Sequence, residues 1–307
     1  MEIIGHEKQR DFLKKIVKTG KISHAFLFSG PEKIGKKTSV IEWASLIFNE
    51  DFFARKEHPD LIFIHPQGKE IQISQIRNLS WRLSLKPYSA PYKMAIIDQA
   101  HLMNQEAQTA LLKTLEEPRG NTILNLITEY PETLFPTIIS RVQNLKFYPI
   151  EKEKIKKYLK EKGIPEAKAE KIAKLSFGRL GLAVDFLENG QKMEELDKKI
   201  KEIIRVSNLD LASRFNYVKD LSQQPEDLKE VLNTWLSYYR EALLLTINEK
   251  ENIKYYSFSE YLSDSKISNL GIEKLKNILR EIQSTIFLIS NTNINPRLAL
   301  EKLMLEF

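Results

Sequence analysis

Short, nearly all-apolar runs alternate with stretches of helical period through the first half of the chain. Ala25–Phe28 (AFLF), Leu61–Ile64 (LIFI), Met94–Ile97 (MAII), Thr122–Ile127 and Leu145–Tyr148 read as strands. Runs with so few polar members indicate burial on both faces of a sheet. Ile3–Gly20 has helical spacing, with Phe12, Leu13, Ile16 and Val17 on its buried face. Val40, Ile41, Ala44 and Ile47 mark a second helix, and Ile76, Leu79 and Leu83 a third that Ser74 is placed to cap. From Asn104 a fourth begins, with Ala107, Ala110, Leu111 and Leu115 on one face and Lys113, Glu116 and Glu117 nearer the other. Pro118 stops it. Strands alternating with helices predict a mostly parallel sheet covered on both faces.

Near Pro149 the pattern changes to Lys- and Glu-rich helical period, broken at Gly163–Ile164–Pro165 and at Gly178. A small helical domain is expected over residues 150–190, with Asn189–Gly190 as its end. Beyond it, Met193–Val206, Leu209–Leu221, Asp227–Ile247, Ile272–Ile289 and Pro296–Leu305 read as helices, and Asn248–Asn269 as polar loop with short helices. The predicted fold class is α/β plus all-α. It comprises a P-loop sheet domain over 1–149, a helical domain over 150–190 and a second helical domain over 191–307.

Composition narrows the class. With 307 residues, 42% hydrophobic and 29% charged, the chain can build more than one core and stay soluble. No apolar run is long enough to span a bilayer, and the N-terminus lacks an apolar signal core, so a cytoplasmic location is expected. Cysteine is absent, which excludes disulfides and thiolate metal sites. The five histidines (His6, His24, His58, His65, His101) are scattered, and no structural metal is expected. The net charge is +6, but residues 1–150 hold 20 Lys/Arg against 16 Asp/Glu and residues 151–307 hold 27 against 25. Neither half is a basic domain, so charge permits a nucleic-acid partner without arguing for one.

The chemistry gathers at three places. Gly30, Gly35 and Lys36 satisfy the start of the P-loop pattern G-x-x-x-x-G-K-[ST], set between the AFLF strand and a helix. There the glycines let backbone N–H groups close around phosphate, and Lys36 reaches the β- and γ-phosphates of ATP. The next residue should be a Mg²⁺-binding Ser or Thr. It is Lys37, and the hydroxyl comes one place late, at Thr38. Asp98 ends the MAII strand, which the pattern places beside the P-loop strand, as the partner carboxylate. The residue after it is Gln99, where a glutamate would take the proton of the attacking water; an amide cannot. Asp98 as a turn cap, and the loop as a scaffold kept for shape, stand as alternatives. Third, Ser140–Arg141 lies just before the last strand. Arg141 is either a solvated charge or a side chain for a neighbouring subunit's nucleotide.

HAFLFSGPEKIGKK, HPDLIFI, YKMAIIDQAHLMNQEAQTALLKTLEEP, PTIISRV and NPRLALEKLML together resemble the bacterial clamp-loader AAA+ subunits of DNA polymerase III. The likeness runs from Ile3 to the C-terminus and, within the family, leans to the delta-prime kind. Motor members keep the P-loop threonine, an acidic pair and a cysteine-ligated zinc module; this chain has Lys37, Gln99 and no cysteine, and its Phe48–His58 segment is short. The resemblance implies a subunit that supports ATP-driven loading of the sliding clamp onto primed DNA, in a pentameric ring with motor and delta-type subunits. It implies an arginine finger at Arg141 acting in trans, a sensor-1 place near Thr128 and a sensor-2 place at Gly181, with Arg179 two residues early. It further implies a lid over 150–190, a collar over 191–307 and a DNA-backbone contact at Arg77, for which a solvated helix charge is the alternative. An active motor ATPase and a stand-alone AAA+ remodeller are the other readings.

Overall fold

The computed structural model describes residues 4–52, 58–118, 120–223, 225–247, 270–291 and 294–307. The chain divides into two compact units, Met1–Ile150 with Arg179–Gly181, and Glu151–Gly178 with Leu182–Phe307.

The first unit runs α1 (Glu7–Thr19), β1 (Ala25–Ser29), α2 (Lys36–Phe48), β2 (Leu61–Ile64), α3 (Ile73–Ser84), β3 (Lys93–Ile97), α4 (Gln105–Glu116), β4 (Thr122–Thr128), α5 (Pro136–Ile139) and β5 (Gln143–Lys146). All strand pairs are parallel, in the order β2-β3-β4-β1-β5. Side chains alternate across a strand, and here both faces are covered. Ala25, Leu27, Ile62, Ile64, Ala95 and Ile97 face the layer of α3 and α4, whereas Phe26, Phe28, Leu61, Met94 and Ile96 face that of α1 and α2. Trp43 of α2 meets Phe26 edge-on at 4.8 Å. That double burial is why the strands are apolar runs rather than alternating ones.

Three expectations change. The strand carrying Asp98 is not beside the P-loop strand, because β4 lies between them: β1 pairs with β4 and β5, and β3 with β2 and β4. The last strand is Gln143–Lys146, two residues earlier than expected, because an exposed edge strand needs no apolar run; Phe147 N–H still bonds Ser29 O at 2.7 Å just past its end. Ser74 does not cap α3: it is the helix's second residue, and the N-cap is Gln72, whose N–H donates to Gln75 Oε1 at 3.0 Å. Residues 1–3 lie outside the described residues, so α1 is seen from Glu7.

The second unit is helical among its described residues: α6 (Lys152–Glu161), α7 (Glu166–Leu175), α8 (Leu180–Glu188, whose first two residues group with the first unit), α9 (Gly190–Ser207), α10 (Leu211–Leu221), α11 (Pro225–Ile247), α12 (Ile272–Asn291) and α13 (Pro296–Met304). Asn189 alone stands between α8 and α9 and caps the latter, its side chain accepting from Gln191 N–H at 3.1 Å. α11 and α12 pack along each other around Trp235, Tyr238, Leu275, Ile278 and Ile282. Arg214 of α10 ties this core to the chain end, donating to Phe307 O at 2.8 Å and to Ser207 O at 3.0 Å. Asn248–Asn269, expected as loop with short helices, lies outside the described residues. Among the described residues no helix is long and apolar enough to cross a membrane.

Candidate functional site

The carboxyl edge of the sheet gathers the candidate residues of the first unit. β1 runs into Gly30, whose φ of 143° is open to glycine and strained for other residues. A side chain there would collide with the Phe147 carbonyl. Gly30 N–H donates to Thr128 O at 3.2 Å, which fastens the start of the loop to the end of β4. Gly35, at φ 103°, is the N-cap of α2 and offers no side chain to cap it. The first-turn N–H groups of α2 therefore point, with the positive end of the helix dipole, into the loop.

Lys36 opens α2 and is buried. Its ammonium donates to Gly30 O and Pro31 O, both at 2.6 Å, and so lies along the inside of the loop. Burial pushes it down to about 8, against the pull of Glu129, Glu32 and Asp98. Lys37, the next residue, turns to the sheet: its Nζ is 2.9 Å from Asp98 Oδ2. His65 Nδ1 stands 3.7 Å from the same oxygen. Burial and the Lys37 charge hold that imidazole below its usual range, against the pull of Asp98. The other oxygen, Asp98 Oδ1, accepts Gln99 N–H at 3.1 Å. Gln99 takes a left-handed backbone, φ 54°, as the chain turns into a short 3₁₀ segment.

A P-loop with its acid implies a divalent cation, and the residues here do not fit one. Mg²⁺ asks for oxygen ligands in near-octahedral array, but the P-loop ligand position is an ammonium, and both Asp98 oxygens already face nitrogen donors. Thr38 cannot replace it simply, since one residue along a helix is a turn of about 100°. Among the described residues no group of three His, Asp or Glu side chains gathers elsewhere as a metal site.

Thr128 ends β4 beside Ser29 and is buried. Its hydroxyl accepts Tyr130 N–H at 3.1 Å and lies 3.3 Å from His101 Nδ1, so it faces the following turn. The stretch Arg179–Gly181 belongs to the same unit. Gly181 N–H donates to Lys33 O at 2.8 Å, and a Cβ on Gly181 would come within 2.7 Å of that oxygen. An arginine at this place would require the P-loop turn to move.

Arg141 lies away from this cluster, after α5. Its guanidinium pairs with Glu116 at 2.9 Å and donates to Thr137 O at 2.9 Å and Ser140 Oγ at 3.2 Å. The two side chains are 36% and 50% exposed, so Arg141 is half-buried and Glu116 exposed. Buried Gln108 of α4 accepts Phe135 N–H at 2.8 Å and donates to Thr133 O at 3.3 Å, so α4 holds the turn that leads into α5, the short helix that Arg141 follows. Arg77 lines a groove of about 880 Å³ between α3 and α4, with Ser80, Trp81, Lys113 and Thr114.

Sequence reasoning missed Gln108, His65 and Asp60. The last is wholly buried and accepts the N–H groups of Tyr88, Ser89 and Ala90 at 2.7, 2.9 and 3.1 Å. Burial raises its carboxyl, but those three bonds and nearby His58 outweigh that and hold it below the usual range. Asp60 in HPDLIFI, set directly before a strand, was the one available signal.

A family model described as "DNA polymerase III, delta subunit" matches residues 5–151. DNA polymerase III subunit delta' of Bacillus subtilis is 27% identical over 94% of this chain and 93% of its own length. The delta' subunit of Pseudomonas aeruginosa is 33% identical, over 39% of this chain and 41% of its own. A solved gamma-subunit-related protein of Thermotoga maritima aligns with 19% identity over 95% of this chain and 97% of that one, at a TM-score of 0.43. Over its sheet unit the chain thus matches the DNA polymerase III delta-subunit family model, and along nearly its whole length it is similar to a delta' subunit of DNA polymerase III.

Proposed function

We propose that this chain is a delta-prime-type, non-motor subunit of a cytoplasmic clamp loader. It presents Arg141 to ATP held by an adjacent motor subunit while the ring loads a sliding clamp onto primed DNA. The observation that carries this reading is the Lys37–Asp98 pair: the carboxylate that would hold the metal for hydrolysis is bonded to the chain's own lysine. Gln99 and Gly181 support it, the first because an amide is no base, the second because its backbone is bonded to the P-loop turn. Arg141, by contrast, is half-buried and pairs with exposed Glu116 and local acceptors. In this reading residues 150–190 form a lid, residues 191–307 a collar that assembles the pentameric ring with motor and delta-type subunits, and Arg77 meets the DNA backbone.

The test is reconstitution. The chain is mixed with motor and delta-type subunits, and the ring is sought by mass and by loading of a sliding clamp on primed DNA. A defined ring that loads only when the chain is present is expected. The isolated chain should turn over ATP well below about 1 s⁻¹, the ordinary lower range for enzymes. A higher turnover would make it a motor, and failure to enter any ring would make it a separate remodeller.

A further inference from the structure

Charge in the sheet unit is not spread evenly. Residues 7–21, α1 and the two residues after it, hold six Lys/Arg against two Asp/Glu. The rest of residues 1–150 holds fourteen of each, so the whole positive excess of this half sits on one helix. Lys8, Lys14, Lys15, Lys18 and Lys21 are all exposed. At about 100° per residue the four on the helix share its outward side with Glu7 and Asp11, and Leu13 and Ile16 are buried behind them. Among the described residues none of the five is ion-paired, whereas exposed lysines of later helices are, as in Lys157–Glu161 and Lys201–Asp197. Lys14 and Lys18 stand at i,i+4 and Lys15 and Lys18 at i,i+3, which sets like charges side by side at a cost to the helix. The support beneath them is fixed. Arg10 donates to both Glu42 oxygens, at 2.9 and 2.5 Å, and Gln9 donates to Lys146 O at 2.6 Å.

Uncompensated cations on a rigidly held helix fit a polyanion, and the rest of the face decides which class. It has no exposed aromatic ring, so it offers no platform for the bases of a single strand. Its apolar side is buried, which leaves nothing to insert into a lipid surface and no apolar anchor for an acidic peptide. What remains is a row of point charges about 15 Å long from Lys8 to Lys18, the axial length of about four base pairs. We propose that this outer face of α1 docks on the phosphate backbone of duplex nucleic acid through Lys8, Lys14, Lys15, Lys18 and Lys21. α1 and α3 cover opposite faces of the sheet, so this contact is separate from Arg77. It does not depend on the chain's being a non-motor subunit. Phosphate contacts carry no sequence information, so the docking is indifferent to sequence.

Fluorescence anisotropy of a short labelled DNA duplex with the full chain, over a salt series, tests this. Binding should fall with salt by about 0.9 in log K per log salt for each phosphate met. Lys14→Gln combined with Lys18→Gln should lower that slope by about 2 and weaken binding about tenfold at low salt. The melting temperature of this variant should not fall, because a like-charge pair is relieved. Arg77→Gln should lower the slope by no more than about 1, additively with the α1 substitutions. An unchanged slope in the double variant, or no duplex binding at low salt, would overturn the proposal and leave α1 a solvated face. Tighter binding of a single strand or of polyglutamate than of duplex would also overturn it, since the ligand would then be of another class. None of these outcomes touches ring assembly or the Arg141 effect, on which the proposed function stands or falls separately.

Discussion

Two sets of charges in the sheet unit are treated in opposite ways. At the P-loop, Lys36 donates inward to Gly30 and Pro31, Lys37 is bonded to Asp98, and Gly181 is bonded to Lys33. Every one of these contacts is made within the unit itself. At the other place, Arg141 is held on the surface by Glu116 and two local oxygens. A pair as exposed as that contributes little to stability, about 0–1 kcal/mol. The difference teaches where a ligand-directed charge survives in this fold. The groups that would act on the chain's own nucleotide are spent on each other, whereas the arginine proposed to act on another molecule's is held by a half-exposed ion pair and two local bonds.

The largest expected effect lies at that arginine. A guanidinium delivered to a partner's γ-phosphate is worth about 10³–10⁵-fold in rate at one site. Arg141→Ala should reduce the clamp- and DNA-stimulated ATPase of the reconstituted complex. The loss in total turnover should be smaller than that range, because other motor sites still fire. Fold and assembly should survive, as for most exposed substitutions. Equal rates at matched assembly would make Arg141 an ordinary surface charge and erase the contrast.

Second in size is the rigidity of the loop. Gly30→Ala puts a Cβ against the Phe147 carbonyl at a backbone angle of 143° that alanine resists. A loss of about 2–4 kcal/mol in urea unfolding is expected. A neutral result would show that the loop relaxes freely, and that its internal bonds do not commit it.

How much of this the sequence disclosed depended on range. The glycines, Lys36 and Asp98 follow a local pattern, and the strands around them follow apolar runs that local burial explains. The neighbours of those strands were not legible: nothing in MAII says that β4 will lie between it and β1. Lys37 was visible as a departure, but its bond to Asp98 spans 61 positions. Gln108 reads as a polar break in the face of α4, and only the fold shows it gripping the turn 27 residues on. Edge strand β5 was misplaced by two residues because, exposed on its edge, it carries no apolar signature.

The buried lysine supplies a third test, smaller and dependent on pH. Burial pushes the Lys36 ammonium down to about 8 in the folded chain, from the ordinary lysine value of 10.5. Below about pH 8 both states are protonated, and folding bears the full cost of burying the charge. Between the two values the unfolded chain binds more protons than the folded one, so stability rises with pH. Measured against Lys36→Met, the gain between about pH 8 and 10.5 should be of order 1–3 kcal/mol. A flat difference would mean that solvent reaches Lys36, and the inward-bonded description of the loop would fail.

The smallest effect is expected at Glu116, and it discriminates most finely. Its carboxylate is 50% exposed, and the Arg141 it pairs with keeps two further acceptors, Thr137 O and Ser140 Oγ. Glu116→Gln should therefore change stability by less than about 0.5 kcal/mol, as exposed pairs do. If the ion pair is only a resting place, the ATPase of the reconstituted complex should also stay within about twofold, since losing a surface pair leaves the backbone-set position of the arginine in place. The alternative is that the carboxylate aims the guanidinium. In that case Glu116→Gln would approach the loss seen for Arg141→Ala at unchanged assembly, and Glu116→Asp would recover only part of it. That result would place Arg141 with the committed charges of the P-loop rather than opposite them, for the arginine would then depend on one partner as strictly as Lys37 depends on Asp98.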